Sequence, residues 1–318
     1  MRVGQNPAKS IDHVPQPARV TVAVVAYIPF LSGYYAESLD VLKVCLESIW
    51  ANTPQPYDLL VFDNASCVEV REFLLDAHRQ KRIRYLVLSE QNVGKGGAWN
   101  LIFQGAPGEV IAYADSDVFF SPGWLEHALE LLEAFPRVGM VSSRPLRTPE
   151  KYYTSTLAWA HQEPDVLLEQ GQFQTWETFK EHNDSMGISQ EQAQQWYQES
   201  ADWRIRYHGL EAFIGAAHFQ FTAYKHILQS LTPIHMDRPM GQVRLLDQML
   251  NDAGYLRLTT SQPLVKHLGN RLSIQQSAIL TRHAATRRHS PIFNVPLIKR
   301  VLLKLYNKIF QIYFDSPF

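Results

Sequence analysis

Residues 110–117 read VIAYADSD, an apolar run that ends directly in two aspartates separated by one serine. The apolar run 110–114 predicts a strand that is buried on both faces of a sheet. Asp115 and Asp117 cannot both turn into the core beyond such a strand, because burying unpaired carboxylates costs too much free energy. At a strand end they could instead share a hard divalent cation through oxygen ligands. A solvated turn that caps the next helix is the plain alternative.

Further apolar runs flank this stretch and alternate with patterns of helical spacing, such as 124–135. Strands are predicted at 19–27, 57–62, 83–88 and 138–143. A strand pattern returns at 211–224, followed by a helix around 245–254 and the runs 255–260 and 263–271. This alternation predicts an α/β fold with a doubly wound, mostly parallel sheet. Ligands bind such sheets at the carboxyl ends of the strands.

The composition is that of a globular protein and excludes several classes. The chain has 318 residues, 46% of them hydrophobic, and a net charge of −1, which does not favour a nucleic-acid binder. Its start has no apolar segment typical of a secretion signal, and no run approaches the roughly 18 apolar residues of a membrane span. Cys45 and Cys67 are its only cysteines, too few for a disulfide framework. A reduced, cytoplasmic chain is therefore expected.

The segment NVGKGGAWN (92–100) places three glycines and Lys95 at the start of a predicted helix. Backbone amides and the helix dipole favour an anion there, and Lys95 would add positive charge against a diphosphate. The spacing is not that of a Walker loop, and no GxGxxG follows the first strand, which argues against a dinucleotide-binding oxidoreductase. A turn that needs glycine only for its backbone geometry is an equally good interpretation.

Two more side chains stand at predicted strand ends. Asp63 ends the second strand in DNAS and could accept the imide N–H of a uracil or thymine ring, although a helix cap is the plainer role. His267 lies in KHLGN beyond the last predicted sheet strand. A neutral imidazole is an acceptable ligand for Mn²⁺, but a single histidine is more often structural.

The ordered set VTVAVVAY, DNAS, NVGKGGAWN, DSD, a strand with Gly215-Ala216, and HLGN resembles the family 2 glycosyltransferases and their GT-A relatives. The resemblance covers roughly residues 19–271. It implies that the protein transfers a sugar from a UDP, dTDP or GDP donor to a hydroxyl of a glycan or lipid-linked glycan, with the help of a metal ion. In family 2 the transfer inverts the anomeric configuration. The synthesis of cell-envelope polysaccharide is a process of this kind.

The same resemblance implies roles for individual residues. Tyr27 and Asp63 would hold the nucleobase of the donor, and Asn92 and Lys95 would lie near its ribose or diphosphate. The cation, Mn²⁺ or Mg²⁺, would be surrounded by Asp115, Asp117 and His267, with Asp117 the more direct carboxylate and Asp115 also near the donor.

The catalytic base is where the sequence departs from the family pattern. Family members carry a Glu-Asp pair at the start of the helix before the last strand, and GQVRLLDQMLNDAGY (241–255) has none. We assign the base to Asp247, the nearest acid on that helix, ahead of Asp237 and Glu211. An exposed helix residue or an acceptor-binding group is an equal alternative for Asp247. LDQMLN also resembles the DQDxLN element of the retaining family 8 transferases, so inversion and retention both stay open.

Five segments are predicted. They are a flexible lead-in (1–18), the nucleotide-sugar-binding half of the domain (19–147), a mostly helical acceptor-side insertion in which strand patterns vanish (148–210), the acceptor and catalytic half (211–275), and a basic amphipathic tail (276–318).

The helix predicted at 296–314 has a basic stripe opposite an aromatic and aliphatic arc. It fits a membrane interface, which would place the protein peripherally on the inner face of the membrane. It fits equally a helix packed on the domain or on a second subunit of a homodimer.

Two other functions compete with sugar transfer. A nucleotidyltransferase would usually have a basic, glycine-rich loop after the first strand, and residues 28–36 contain no Arg or Lys. A catalytically degenerate domain that binds glycans or scaffolds a partner is favoured by the missing Glu-Asp pair.

Overall fold

The structure is a computed structural model that describes residues 6–54, 56–240 and 242–273, together with residues 276, 305 and 308. The elements below lie in the first of two units of the chain, which ends at residue 278. The strands are β1 (Val20–Ala26), β2 (Tyr57–Asn64), β3 (Tyr85–Ser89), β4 (Val110–Asp115), β5 (Val118–Phe120), β6 (Val138–Ser142), β7 (Val166–Gly171), β8 (Asp202–Tyr207), β9 (Leu210–Ile214), β10 (Gln220–Tyr224), β11 (Leu256–Thr260) and β12 (Val265–His267). The α-helices are α1 (Ser38–Asn52), α2 (Val68–Arg79), α3 (Gly94–Gly105), α4 (Trp124–Ala134), α5 (Thr154–Gln162), α6 (Trp176–Ser185), α7 (Gln190–Glu199), α8 (Lys225–Ser230) and α9 (Arg244–Asp252).

Ten strands form one sheet in the order β3-β2-β1-β4-β10-β6-β11-β9-β8-β7. In the first half, β1 pairs in parallel with β2 and β4, and β2 pairs in parallel with β3. The intervening helices make these connections βαβ units, which confirms the predicted α/β fold. The sequence did not predict that β10 lies antiparallel between β4 and β6.

The strands of the parallel half are buried on both faces because helices cover each side. Val22 and Val24 of β1 pack into a core that includes α1, α2 and α4. Ala23, between them in sequence, packs into a second core with Trp99 of α3 and Leu250 of α9. The alternation of one strand between two apolar layers explains why its sequence is an uninterrupted apolar run.

A separate two-stranded sheet joins distant parts of the chain. β12 pairs antiparallel with β5, and His267 lies opposite Val118 in this register. β5 follows the DSD segment directly, and at three residues it is too short to show a periodic pattern. This pairing brings residue 267 beside the end of β4.

The insertion 148–210 contains α5, α6 and α7 but also the strands β7 and β8, so the prediction that it lacks strands is wrong. β8 pairs antiparallel with both β7 and β9 and extends the main sheet. Its sequence, DWRIRY, alternates aromatic or aliphatic residues with Arg204 and Arg206, a period of two that does predict a strand. Both arginines form ion pairs with Glu169 and Glu211 on the neighbouring strands.

The strand pattern at 211–224 is interrupted and forms β9 and β10. Gly215, the residue after β9, has φ of +115°, a backbone conformation that disfavours a side chain. A Cβ at this position would also meet Thr148 Oγ1 at 2.7 Å. The break lets β9 pair with β11 while β10 pairs with β4.

The predicted helix at 296–314 lies outside the described residues, apart from residues 305 and 308. Residues 7–10 of the lead-in form one 3₁₀ turn. Of the helices that the structure describes, none combines the length and apolar character needed to cross a membrane.

We predict that Ile205→Ala lowers the free energy of unfolding by about 2–5 kcal/mol, because it leaves a cavity in the core. Ile205 of β8 has no exposed surface, whereas Leu167 of the paired strand β7 is 52% exposed. The control Leu167→Ala should change stability by less than about 0.5 kcal/mol. Urea denaturation measures both, and equal losses would show that β8 does not belong to the folded core.

Candidate active site

The DSD segment is fixed by backbone hydrogen bonds on two sides. The Asp115 N–H donates to the Phe219 carbonyl, just before β10, at 2.8 Å. The Leu268 N–H, just after β12, donates to the Asp117 carbonyl at 2.7 Å. Three segments that are distant in sequence therefore meet at the carboxyl end of β4.

Both carboxylate oxygens of Asp115 have protein donors. Lys95 Nζ lies 2.7 Å from Oδ2, and the Tyr113 hydroxyl donates to Oδ1 at 2.6 Å. Burial, together with the charge of Asp115, raises the pKa of Tyr113 well above its usual value, which keeps the hydroxyl protonated as a donor. Lys95, predicted near the diphosphate, therefore contacts Asp115 in this structure.

Asp117 faces His267, with 3.2 Å between Asp117 Oδ2 and His267 Nε2. On the other side of the ring, His267 Nδ1 lies 2.9 Å from Ser185 Oγ. The Ser185 hydroxyl donates to the His182 carbonyl at 2.6 Å, so its oxygen accepts from Nδ1–H. These contacts place a proton on Nδ1, and Nε2 faces the Asp117 carboxylate, to which it donates when the ring is charged in the metal-free protein.

The pKa values of this pair shift in opposite directions. Burial opposes the charge on both groups, but mutual attraction and the hydrogen bond outweigh it. As a result the pKa of Asp117 lies below its usual value and that of His267 above its usual value. Burial lowers the pKa of the neighbouring His182 to about 3, so this second imidazole stays neutral against the His267 ring.

A divalent cation fits the Asp117–His267 pair. Asp117 Oδ1 is buried and has no hydrogen-bond partner, and Nε2 of His267 is oriented by a hydrogen bond on the opposite nitrogen, as in histidine metal ligands. No three His, Cys, Asp or Glu side chains in the described ranges form a complete metal-binding group. Asp115 is held by Lys95 and Tyr113, so this structure brings Asp117 and His267 together and holds the third predicted ligand apart from them.

Side chains and a carbonyl already cap the start of α3. The Val93 N–H donates to Asn64 Oδ1 and the Gly94 N–H to Asn92 Oδ1, each at 2.8 Å, and the Lys95 N–H donates to the Pro239 carbonyl at 3.2 Å. An anion at this helix start would have to replace these acceptors. Gly94 has φ of +70°, so backbone geometry accounts for at least this glycine.

Asp63 is fully buried and anchors the turn after β2. It accepts a hydrogen bond from the Ser66 N–H at 3.1 Å and forms an ion pair with Arg71 at 3.1 Å. These contacts fix the turn but do not cap α2, whose N-cap residue Cys67 has no side-chain cap hydrogen bond. Contact of Asp63 with a nucleobase would require the Arg71 pair to open. The next residue, Asn64, lines the cleft instead.

A cleft lies over the carboxyl ends of β1, β2 and β4. Its walls include Tyr27, Asn92, Lys95, Asp115 and Asp117, all of them predicted site residues. The sequence did not single out Tyr34, Tyr35, Pro239, Met240 and Asn270, which also line it. Asn270 belongs to the HLGN motif and could have been found there, whereas no pattern marks the segment around Met240.

Asp247 lies outside this cleft. Its side chain is 5% exposed, with Oδ1 2.7 Å from Arg257 Nη2 and Oδ2 3.1 Å from His218 Nδ1. No sequence pattern marks His218 or Arg257. Of the weaker candidates, Asp237 is exposed and Glu211 pairs with Arg204 and Arg206.

The doubly wound sheet, with an acidic strand end facing a histidine beside an aromatic cleft, is the arrangement that the predicted GT-A fold requires. Residues 33–194 match the profile of Glycosyl transferase family 2, and the chain belongs to this family. This is the family that the sequence resemblance predicted.

Two curated relatives show local similarity. The succinoglycan biosynthesis protein ExoW of Rhizobium meliloti (strain 1021) is 29% identical over 113 residues, 35% of each chain. An uncharacterized glycosyltransferase of Nostoc sp. (strain PCC 7120) is 27% identical over 100 residues, 31% of each chain. The chain thus spans about a third of the length of the curated relatives it matches.

A crystal structure of GalNAc-T7 with UDP, GalNAc and Mn²⁺ shares the fold. The TM-score is 0.50 at 13% identity, and the match covers 91% of this chain and 48% of the other.

We predict that the Asp117–His267 pair stabilises the metal-free protein most below pH 6.5, because a raised pKa in the folded state favours folding while the imidazole is charged. This stabilisation should disappear as the pH rises through the folded-state pKa of His267. Its size is about 1.4 kcal/mol for each tenfold gain in the proton affinity of the imidazole on folding. The lowered pKa of Asp117 also stabilises the folded state, and this contribution is lost only at acid pH, below about 4, where the carboxylate becomes protonated.

Urea denaturation in EDTA at pH 6 and pH 9, on the wild type and His267→Gln, measures this dependence. The stability difference between the two proteins should shrink at pH 9. A difference that does not change with pH would show that the pair is not charged in the folded state.

Proposed function

We propose that the protein transfers a sugar from a nucleotide-diphosphate sugar to a hydroxyl group of a glycan or lipid-linked acceptor, with Mn²⁺ or Mg²⁺ and with inversion at the anomeric carbon. The observation that carries this proposal is the Asp117–His267 pair, in which Asp117 lines the cleft and has one unpartnered carboxylate oxygen. Family membership supports transfer, and the UDP and Mn²⁺ in the GalNAc-T7 structure are ligands of the proposed kind.

In this proposal Asp117 and His267 Nε2 hold the cation, and Asp115 becomes a third ligand when Lys95 turns away from it, so that Lys95 and the cation compete for Asp115. A bound divalent cation would offset the charge that builds up on the departing diphosphate. The donor set of one carboxylate and one imidazole suits Mn²⁺ in particular. Nδ1–H of His267, fixed by Ser185, keeps the ring in the tautomer that a ligand requires.

The nucleotide would occupy the cleft over β1 and β2. Tyr27 is 37% exposed and offers a ring face to the nucleobase. Asn92 and Asn64 line the part of the cleft that would hold the ribose. Asp63 would reach the base only if its pair with Arg71 opened. Lys95 would turn from Asp115 to the diphosphate, where its charge contributes to donor binding.

Thermal-shift measurements with UDP, dTDP and GDP, each with and without Mn²⁺, test the proposed donor class, because a ligand that binds only the folded state raises the Tm. We expect one nucleotide diphosphate to raise the Tm, and to raise it further with Mn²⁺. No Mn²⁺-dependent rise with any of the three would contradict the proposal.

We predict that Asp117→Asn abolishes the contribution of Mn²⁺ to nucleotide binding, because the amide cannot replace a charged ligand oxygen. Isothermal titration calorimetry of the preferred nucleotide with and without Mn²⁺ measures this contribution. Asp76→Asn, on the exposed face of α2, is the matched control and should behave as the wild type. Unchanged Mn²⁺-linked affinity in Asp117→Asn would remove the metal assignment.

We predict opposite effects of Lys95→Met on metal and nucleotide binding. Mn²⁺ alone should bind more tightly than to the wild type, because the ammonium group no longer neutralises Asp115. The affinity for the nucleotide diphosphate should fall, about tenfold for 1.4 kcal/mol of lost interaction.

Lys180→Met is the matched control, since Lys180 pairs with Asp184 on α6. Electron paramagnetic resonance of free Mn²⁺ measures the metal affinity, and calorimetry measures the nucleotide affinity. A loss of Mn²⁺ affinity in Lys95→Met would contradict the proposed competition for Asp115.

A further inference from the structure

His218 lies on a short segment, residues 215–219, that the fold holds at both ends. The Ala216 carbonyl accepts from Arg257 Nη2 at 2.6 Å, and the Ala217 N–H donates to Ser142 Oγ at 2.9 Å. At the other end the Phe219 carbonyl accepts from the Asp115 N–H at 2.8 Å. His218 is therefore held on a fixed stretch of backbone beside the DSD segment.

The strand register gives the position of His218 relative to the two aspartates. Gln220 pairs with Ala114 in the antiparallel ladder of β10 and β4. The hydrogen bond between Asp115 and Phe219 continues this register by one residue. One residue further, His218 falls opposite Ser116, the residue between Asp115 and Asp117.

A buried carboxylate orients the imidazole. His218 Nδ1 lies 3.1 Å from Asp247 Oδ2, and Asp247 Oδ1 lies 2.7 Å from Arg257 Nη2. Arg257 has no exposed surface and Asp247 only 5%, whereas the His218 side chain is 23% exposed. Of these three groups, His218 is the one that a substrate in solution can best reach.

The hydrogen bond to Asp247 assigns the ring proton to Nδ1, because an ionised carboxylate only accepts. Nε2 then carries a lone pair, and the described residues make no hydrogen bond to it. A buried carboxylate behind a histidine whose other nitrogen is available is the arrangement that prepares an imidazole to take a proton and stabilises the imidazolium that forms.

We propose, on the basis of the proposed function, that His218 is the general base of the transfer and that Asp247 is its positioning residue. The acceptor oxygen forms a bond to the anomeric carbon as the bond from that carbon to the diphosphate oxygen breaks, and the electron pair leaves on the diphosphate. The hydroxyl proton passes to Nε2 of His218 and from there to solvent. This assignment replaces Asp247 as the direct base, because Asp247 is buried behind the imidazole and paired with Arg257.

The test measures nucleotide release from UDP-glucose, dTDP-glucose and GDP-mannose with Mn²⁺, with water as the acceptor, because the base would also deprotonate water. Affinity for the corresponding nucleotide is measured separately by calorimetry. His218→Ala should lower the rate of release by about 10²–10⁴-fold, while the nucleotide affinity stays within about twofold of the wild type. His226→Ala, at an exposed histidine of α8, is the matched control.

Imidazole in solution distinguishes a base from a structural residue. It should restore part of the release rate in His218→Ala, but much less in the double variant His218→Ala with Asp247→Asn, because the carboxylate that orients the ring is gone. Thermal melting of each variant accompanies the assay, since Asp247→Asn leaves the charge of Arg257 buried without a counter-ion. If the double variant unfolds, rescue of His218→Ala by imidazole is decisive on its own.

Each outcome separates this assignment from the proposed function. Wild-type release rates in His218→Ala, no rescue by imidazole, or nucleotide binding by the wild type without any release would overturn His218 as the base and leave the donor site intact. A wild type that binds none of the three nucleotides would instead contradict the proposed function.

Discussion

The pairing of β12 with β5 is the contact on which the candidate site depends. This three-residue ladder places His267 opposite Val118 and so beside Asp117, across about half of the chain length. Its strands are too short to be stable as an isolated hairpin, and they are held because the main sheet carries β4 and because Leu264 and Val265 bond to the Ser143 carbonyl. A small sheet that depends on a large one thus fixes the geometry of the charged pair.

A second constraint shapes the whole carboxyl edge of the sheet, where four buried or half-buried acids each have a cationic partner. The pairs are Asp63 with Arg71, Asp115 with Lys95, Asp117 with His267 and Asp247 with Arg257. An acid without its partner would be costly in this low-dielectric surrounding. The side chains at this edge are therefore ordered before any ligand binds. A ligand that contacts one of these acids must displace the cationic side chain that is paired with it.

Much of the fold could be predicted from the sequence, because the strands of the parallel half are long apolar runs between amphipathic helices. The pattern also placed Asp115 and Asp117 correctly at a strand end. It failed where short elements depend on tertiary contacts: β5 is three residues long, and the alternation in β8 was overlooked among polar residues. The partners of Asp247 could not be predicted, since His218 and Arg257 meet it only through β10 and β11, and neither residue stands in a recognisable motif.

The central claim is that Asp117 and His267 together hold a divalent cation next to a nucleotide diphosphate. Anomalous diffraction from crystals grown with Mn²⁺ and the nucleotide that binds best tests it most directly. The account predicts one strong manganese peak bonded to an Asp117 carboxylate oxygen and to Nε2 of His267, with the diphosphate in contact with the same ion. A bound nucleotide with no manganese at this pair, or with manganese held elsewhere, would contradict it.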